Sequence, residues 1–406
     1  MEKLASRERI LRTVAGQPVD RVPIFAPVPW HPLAPEPDPK NWKAWPNYQR
    51  LLSLVAEHCD FFVHLDVAER VPIGNPGGGE VRGHPSGSIF DRRFFLAHPE
   101  NIRVIEDRLE NGRAITRYKV HTPKGDLTTT DVRFLDVDTV WTTEPLIKDV
   151  RDADKILSAS SRFDPPDLTA YLAERDRLGD RGAPVCFISS PLVAVSRMME
   201  FQQLLEWTIT ERPLLDTMLR IIQERLSERL HWALEHGVGP FFRFGGSEQS
   251  TPPMMSKRFF EQFVIGYEAP LWKMVREAGG IVWVHCHGKV ATVLNRFMEN
   301  GVQMLDPVEP PPQGDITIKE AKARAAAGPL TLVGNVEMSD LQNGTPELIE
   351  RLVREAICEG GRKHLIMGTS EVTVSAVNDQ LRDNIIAYLE TAARYAPFEP
   401  DRNDSR

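Results

Sequence analysis

The chain has 406 residues, of which 41% are hydrophobic and 26% charged, and a formal net charge of -8. This composition buries a large core, and a strand–helix barrel can hold such a length as one unit. The mild negative charge and scattered Lys and Arg exclude a basic nucleic-acid-binding face. Four cysteines without a CxxC pair form no disulfide framework and read as reduced thiols.

Residues 1–16 give an amphipathic, charged helix without the apolar centre of a signal peptide. No run of about 18 apolar residues follows, so the expected setting is cytoplasmic, with no membrane partner. Two short apolar runs come next, residues 22–25 and 61–65, the second after a helix at 48–58. Residues 74–157 break the pattern. Within them, 116–121 and 126–134 flank Thr122-Pro123-Lys124-Gly125 as a β-hairpin with a Gly-containing turn. This segment is expected to be an insertion after the second strand, a lid or docking surface on the catalytic face.

From residue 182 onward one rhythm repeats. Apolar runs at 184–188, 240–244, 281–287, 303–305, 330–333 and 364–367 alternate with long helical patterns. In 217–236, apolar Met218, Leu219, Ile222, Leu226, Leu230 and Leu234 keep a 3.6-residue period. Ser256 and Thr345-Pro346 supply helix N-caps, the second with Pro at the first helical position. Alternation of this kind means βαβ units and a parallel sheet. Six runs here and two earlier make eight, the number that closes a barrel, so the fold class is α/β, a (β/α)8 TIM barrel spanning 1–406 as one domain. An open doubly wound sheet would want a GxGxxG turn between strand and helix, and Gly77-Gly78-Gly79-Glu80 has neither flank. Residues 401–406 read as a disordered tail.

Barrel chemistry sits at the C-terminal strand ends. Those ends here are Gly245-Gly246-Ser247-Glu248, His285-Cys286-His287-Gly288, Asp306-Pro307-Val308-Glu309, Gly334-Asn335-Val336-Glu337 and Gly368-Thr369-Ser370-Glu371. His285 and His287, at i and i+2, face the same side of their strand, toward the barrel mouth, while Cys286 packs against the helices. Two such imidazoles can share a divalent ion at about 2.0–2.1 Å, with a carboxylate as third ligand. Glu248, from the preceding strand, is the expected carboxylate, and the open fourth position marks a catalytic metal. Glu371 is a catalytic candidate at the last strand end, or a cap of its turn. His364 begins its strand and belongs to the opposite face. Asp306 and Glu309 lie at the catalytic end among prolines that shape a loop.

Several motifs in order resemble the uroporphyrinogen decarboxylase superfamily, which includes cobalamin-dependent methyltransferases. They are Asp20-Arg21-Val22-Pro23, Thr122-Pro123-Lys124-Gly125-Asp126-Leu127, Pro145-Leu146-Ile147-Lys148, His285-Cys286-His287-Gly288, Gly334-Asn335-Val336, Gly344-Thr345-Pro346-Glu347 and the closing helix at 378–390. In the methyltransferase branch the fifth strand ends in His-x-Cys-Gly and a second Cys follows the eighth, and zinc held there activates a thiol toward a methyl group on cobalt. Here His287 stands at the first Cys position and Thr369 near the second. The resemblance therefore implies zinc on a harder site, suited to an oxygen ligand. It also implies a small-molecule substrate and a corrinoid protein as partner. The decarboxylase branch uses an arginine-rich N-terminal clamp for carboxylates, absent from Ile24-Phe25-Ala26-Pro27-Val28-Pro29-Trp30, and an Asp after the second strand, which Asp66 matches. A cofactor-free decarboxylase or lyase is thus the alternative to the metal-dependent methyltransferase. An amidohydrolase would carry its HxH on the first strand and further His ligands later, and the chain has neither.

Overall fold

A computed structural model describes residues 3–28, 48–67, 88–91, 94–134, 140–326, 328–373 and 377–397. The first strand, β1 (Phe62–His64), is followed by four antiparallel strands: β2 (Ile102–Glu110), β3 (Arg113–Val120), β4 (Leu127–Phe134) and β5 (Val140–Glu144). Six further strands complete the set: β6 (Ala183–Ser189), β7 (Phe241–Gly245), β8 (Ile281–His285), β9 (Met304–Asp306), β10 (Thr331–Val336) and β11 (Leu365–Thr369). All seven apolar runs from 61–65 onward are strands, and they form one parallel half-barrel sheet in the order β1-β6-β7-β8-β9-β10-β11.

Residues 22–25 touch both edges of that sheet. Phe25 N donates to the Met367 carbonyl at 2.7 Å and Met367 N to the Pro23 carbonyl at 2.8 Å. On the other side, Asp60 N donates to the Ile24 carbonyl at 2.7 Å. The bridges Ile24–Met367 and Phe25–Asp60 are both parallel.

Side-chain alternation sorts the sheet into two faces. On the outer face Val63, Cys186, Phe242, Val284, Leu305, Leu332 and Met367 join the large core beneath the helices. On the inner face Phe62, Val185, Phe241, Trp283, Met304, Val333 and Ile366 form a separate apolar layer, plugged by Ile10 and Val14 of the N-terminal helix Ser6–Val14. Phe62 sets the centre of that layer, its ring 4.7 Å from Trp283 and 5.6 Å from Phe241.

The plug helix is fixed by charge. Arg9 binds Asp20 at 2.7 Å and Asp60 at 2.6 Å, and Asp60 also takes Arg21 at 2.7 Å. Asp20-Arg21-Val22-Pro23 is thus a structural clasp, with Arg9 and Asp60 3% and 1% exposed. Removing one partner of a buried ion pair strands the other charge. Asp60→Ala should therefore lower stability by about 3–5 kcal/mol, read by urea unfolding, with the metal content of the folded fraction unchanged. A loss under about 1 kcal/mol would show that water reaches the clasp.

Helix starts follow their caps. Thr345 accepts from Leu348 N before Pro346–Gly360, and Ser256 from Phe259 N before Lys257–Phe260. The helix Arg212–Glu235 begins five residues earlier than its apolar period indicated, because Pro213 fits the first turn. Cys59, Cys186 and Cys286 are buried free thiols and Cys358 an exposed one. Among the described residues no helix is long and apolar enough to cross a membrane.

The expected hairpin is the centre of a larger unit, the four-stranded antiparallel sheet β2-β3-β4-β5. Its Thr122–Gly125 turn is closed by Gly125 N donating to the Thr122 carbonyl at 3.0 Å. Two strands escaped the sequence reading because β2 reads IRVIEDRLE, with its outer residues charged, and β5 is short. The chain enters this segment where Ser189 N, at the C-terminal end of β6, donates to the Phe90 carbonyl at 3.3 Å. It leaves where Ile147 N donates to the Met198 carbonyl at 2.7 Å, in the connection after β6. Residues 74–87 and the tail at 401–406 lie outside the described residues.

Candidate metal centre

The inner face changes character two residues beyond the apolar layer. Phe62 is followed by His64, Phe241 by Arg243, Trp283 by His285, Met304 by Asp306 and Val333 by Asn335. Because i and i+2 share a face, these polar groups form the next tier, at the C-terminal end of the sheet. Parallel register sets Gly245 beside His285 and His285 beside Asp306.

His285 and His287 come together as expected, their ring centroids 4.6 Å apart and nearly perpendicular. Cys286 between them is fully buried on the helix side. The carboxylate that joins them is Glu371. Ligand atoms of His285, His287 and Glu371 all lie within 4.8 Å of one another, with Glu371 Oε2 3.8 Å from His287 Nε2.

Glu248 does not join that trio. It sits on the short 3-10 turn Ser247–Ser250 after β7, near enough to raise the pKa values of His287 and Cys286 by its charge. Behind it, Glu268 is fully buried with only the Ser247 hydroxyl at 3.2 and 3.4 Å, and burial holds its carboxyl well above the ordinary range.

Each imidazole is held by a second carboxylate through Nδ1. His285 Nδ1 lies 2.9 Å from Asp306 Oδ2, and His287 Nδ1 lies 2.9 Å from Glu309 Oε1. Gly288 N donates to the other Glu309 oxygen, in a turn where Gly288 takes φ +83°. Arg243 Nη2 reaches Asp306 Oδ2 at 2.6 Å and His285 Nδ1 at 2.7 Å. Burial would raise the Asp306 carboxyl, but Arg243 and His285 hold it far below its ordinary value. Asp306 is ionised there.

Two orphaned atoms complete the centre. Glu248 Oε2 and Glu337 Oε1 are buried with no hydrogen-bond partner. Burial, and then the charge of Glu309, push Glu337 up to about 7. Burial alone would lower His287, yet Glu309 and Glu371 carry it up to about 10. Carboxylates thus outnumber the cationic groups around two imidazoles, with Arg243 matched to Asp306, and the Nδ1 contacts leave each Nε2 free to ligate. A divalent cation fits this donor set, since carboxylate-oriented imidazoles are the usual support of such ligands.

Asp66 lies elsewhere along the same rim. Burial, and then the charge of Asp91, raise its pKa; Asp91 itself binds Arg197 and the Ser189 hydroxyl. His364, as expected, is at the opposite end, preceding β11 and 3.3 Å from the Thr331 hydroxyl. Sequence reasoning gave Asp306 and Glu309 only loop roles and passed over His64, Arg243 and Glu337. The i, i+2 rule applied to every strand would have found His64, Arg243 and Asp306, but Glu309 and Glu337 lie beyond their strands and have no such signal.

Beside the trio opens a cavity of about 300 Å³. Phe25, Phe61, Phe62 and Val372 supply its apolar lining, and His64, Arg243, Asp306 and Glu371 its polar groups.

A parallel α/β half-barrel with its polar groups gathered at the strand C-termini around two imidazoles defines an enzyme of the barrel class. The chain belongs to the uroporphyrinogen decarboxylase (URO-D) family, whose sequence model matches residues 128–382. No curated protein matches it. Among solved structures, a methyltransferase from Methanosarcina mazei shares the fold at a TM-score of 0.59 and 18% identity, over 97% of this chain and 99% of that one.

Proposed function

We propose that this protein is a metal-dependent methyltransferase that moves a methyl group between a small-molecule substrate and a corrinoid protein, on a closed eight-stranded barrel. Residues 22–25 supply the eighth strand, a reading supported by their parallel bridges to both sheet edges. The observation that carries the activity is the pairing of each imidazole with its own carboxylate beside Glu371. The family assignment and the methyltransferase neighbour's fold agree with it.

His285, His287 and Glu371 would hold the metal, with Glu248 as a further carboxylate within electrostatic reach. Zinc is the first choice, and when bound it supplies Lewis acidity to a substrate oxygen. Asp306 and Glu309 keep both rings in one orientation, and Arg243 keeps Asp306 ionised. The aromatic wall of Phe25, Phe61 and Phe62 excludes water from the bound substrate. The antiparallel sheet would serve as the docking surface for a partner, a reading supported by its attachment beside the end of β6.

Cob(I)alamin tests this directly. The purified protein, supplied with zinc and a panel of methyl ethers and thioethers, should methylate it, followed by its colour change. Exhaustive chelation should abolish the reaction and zinc should restore it. No methylation across the panel by fully metal-loaded protein would sink the proposal. The second reading, a metal-free decarboxylase, is favoured by one observation, the protonation-prone Asp66 beside Asp91 and Arg197. Release of carbon dioxide from a small acid by the chelated protein, lost in Asp66→Asn, would establish it instead.

A further inference from the structure

His64 lines the cavity beside Phe62 and Arg243. It ends β1, between Val63 and Leu65, whose side chains turn to the opposite, helix-covered face. Its imidazole opens into the 300 Å³ cavity and makes no hydrogen bond among the described residues. Arg243 lines the same cavity. Its Nε and Nη2 are taken by Asp306 and His285, while Nη1 has no hydrogen-bond partner among the described residues. The cavity thus carries two donors in its lining, His64 open to solvent and Arg243 half-buried, where a ligand's acceptor can take the place of water.

We infer that His64 and Arg243 form a hydrogen-bonding subsite for a neutral acceptor oxygen, a carbonyl or ether, on an uncharged substrate with an apolar body. This deepens the methyltransferase reading and rests on it for the metal at the other end of the cavity. The charges on the page select neutral over anionic. Arg243 is already matched by Asp306 at 2.6 Å, and Glu371 adds a further negative charge along the wall. A substrate carboxylate would meet both. His64 adds no charge near neutral pH: although its ring reaches solvent, the protein packed around it, and then Arg243, lower its pKa to about 4, so it offers an N–H dipole. The apolar body is assigned by Phe25, Phe61 and Phe62.

Three probes of one shape separate the possibilities: acetophenone with a neutral oxygen, ethylbenzene with none, and benzoate with an anionic carboxylate. Binding is followed by calorimetry on the full-length protein, with zinc content recorded for every sample. Acetophenone should bind about tenfold tighter than ethylbenzene, the scale of one or two net hydrogen bonds, and benzoate should be weaker than acetophenone. His64→Phe keeps an aromatic ring and should reduce the acetophenone advantage to about threefold or less, with zinc content unchanged. An intact advantage in His64→Phe, tighter binding of benzoate, or binding of none of the three would overturn the subsite. Because no methyl is transferred in these measurements, failure of cob(I)alamin methylation with the probe pattern intact would remove the methyltransferase reading alone.

Discussion

Replacing both imidazoles, as His285→Ala/His287→Ala, is expected to remove zinc from the protein while leaving its fold intact. Three protein ligands define the candidate centre, and the double variant leaves one. Loss of even an orienting carboxylate behind a ligand weakens metal binding about 10–100-fold, so loss of two ligands should weaken it by roughly a thousandfold or more. The fold should tolerate the change. Both rings stand beyond the apolar layer of Phe62, Phe241 and Trp283, and neither contributes to it. Elemental analysis after desalting, with circular dichroism on the same samples, reads both effects. Wild-type zinc content in the double variant would refute the site. Single variants rank the carboxylates: Glu371→Gln should weaken binding more than Glu248→Gln, and the reverse order would return Glu248 to the third position. Cys286→Ser should keep its metal, because that side chain is on the helix side of β8.

The expected trio and the cluster that the fold brings together differ by one carboxylate, and the reason is physical. His285 and His287 were legible because strand alternation is a local rule, and it fixed Cys286 as well. Choosing the third ligand required knowing which loop turns inward, and loops have no such period. Glu248 follows the neighbouring strand, but Gly246, at φ +111°, carries the chain into a 3-10 turn that leaves Glu248 within electrostatic reach of Cys286, Glu268 and His287 and outside the trio. Glu371 comes from three strands away in the sheet order and arrives through the turn after β11, where Val372 N fixes its Oε1 at 2.8 Å. The parallel sheet was legible for the same local reason, since each strand is a short apolar run bounded by polar turns. One missed strand did leave a signal. Asn111-Gly112 between β2 and β3 takes φ 49° and 72°, the pair of positive values that a two-residue hairpin turn requires and that Asn-Gly most readily adopts. Charged residues on the exposed face of β2 obscured it.

The pH dependence of metal affinity follows from His287. In the metal-free protein burial lowers its pKa, but Glu309 at Nδ1 and Glu371 near Nε2 together bring it to about 10. Near neutral pH the ring is therefore an imidazolium held between two carboxylates, and a metal at Nε2 must displace one proton. Affinity should rise about tenfold for each unit of pH through the range 7 to 9, and level off as pH passes about 10. The stability of the metal-free protein has the opposite sign. A folded pKa above the unfolded value near 6.5 gives stabilisation that is complete below about 6.5 and is lost as pH rises through about 10. Removing metal should therefore harm the protein least at low pH, where the proton replaces it. Calorimetry at pH 8 in two buffers of different ionisation enthalpy should return about one proton released per zinc. Glu309→Gln removes the group that both raises this pKa and orients the ring. Its zinc affinity at pH 9 should fall about 10–100-fold, and the pH at which affinity levels off should move down toward the ordinary histidine range. Zinc binding without proton release at pH 8, or an affinity indifferent to pH between 7 and 9, would mean that His287 is not a ligand. The Glu309 contact would then be an ordinary ion pair at the rim of the cavity.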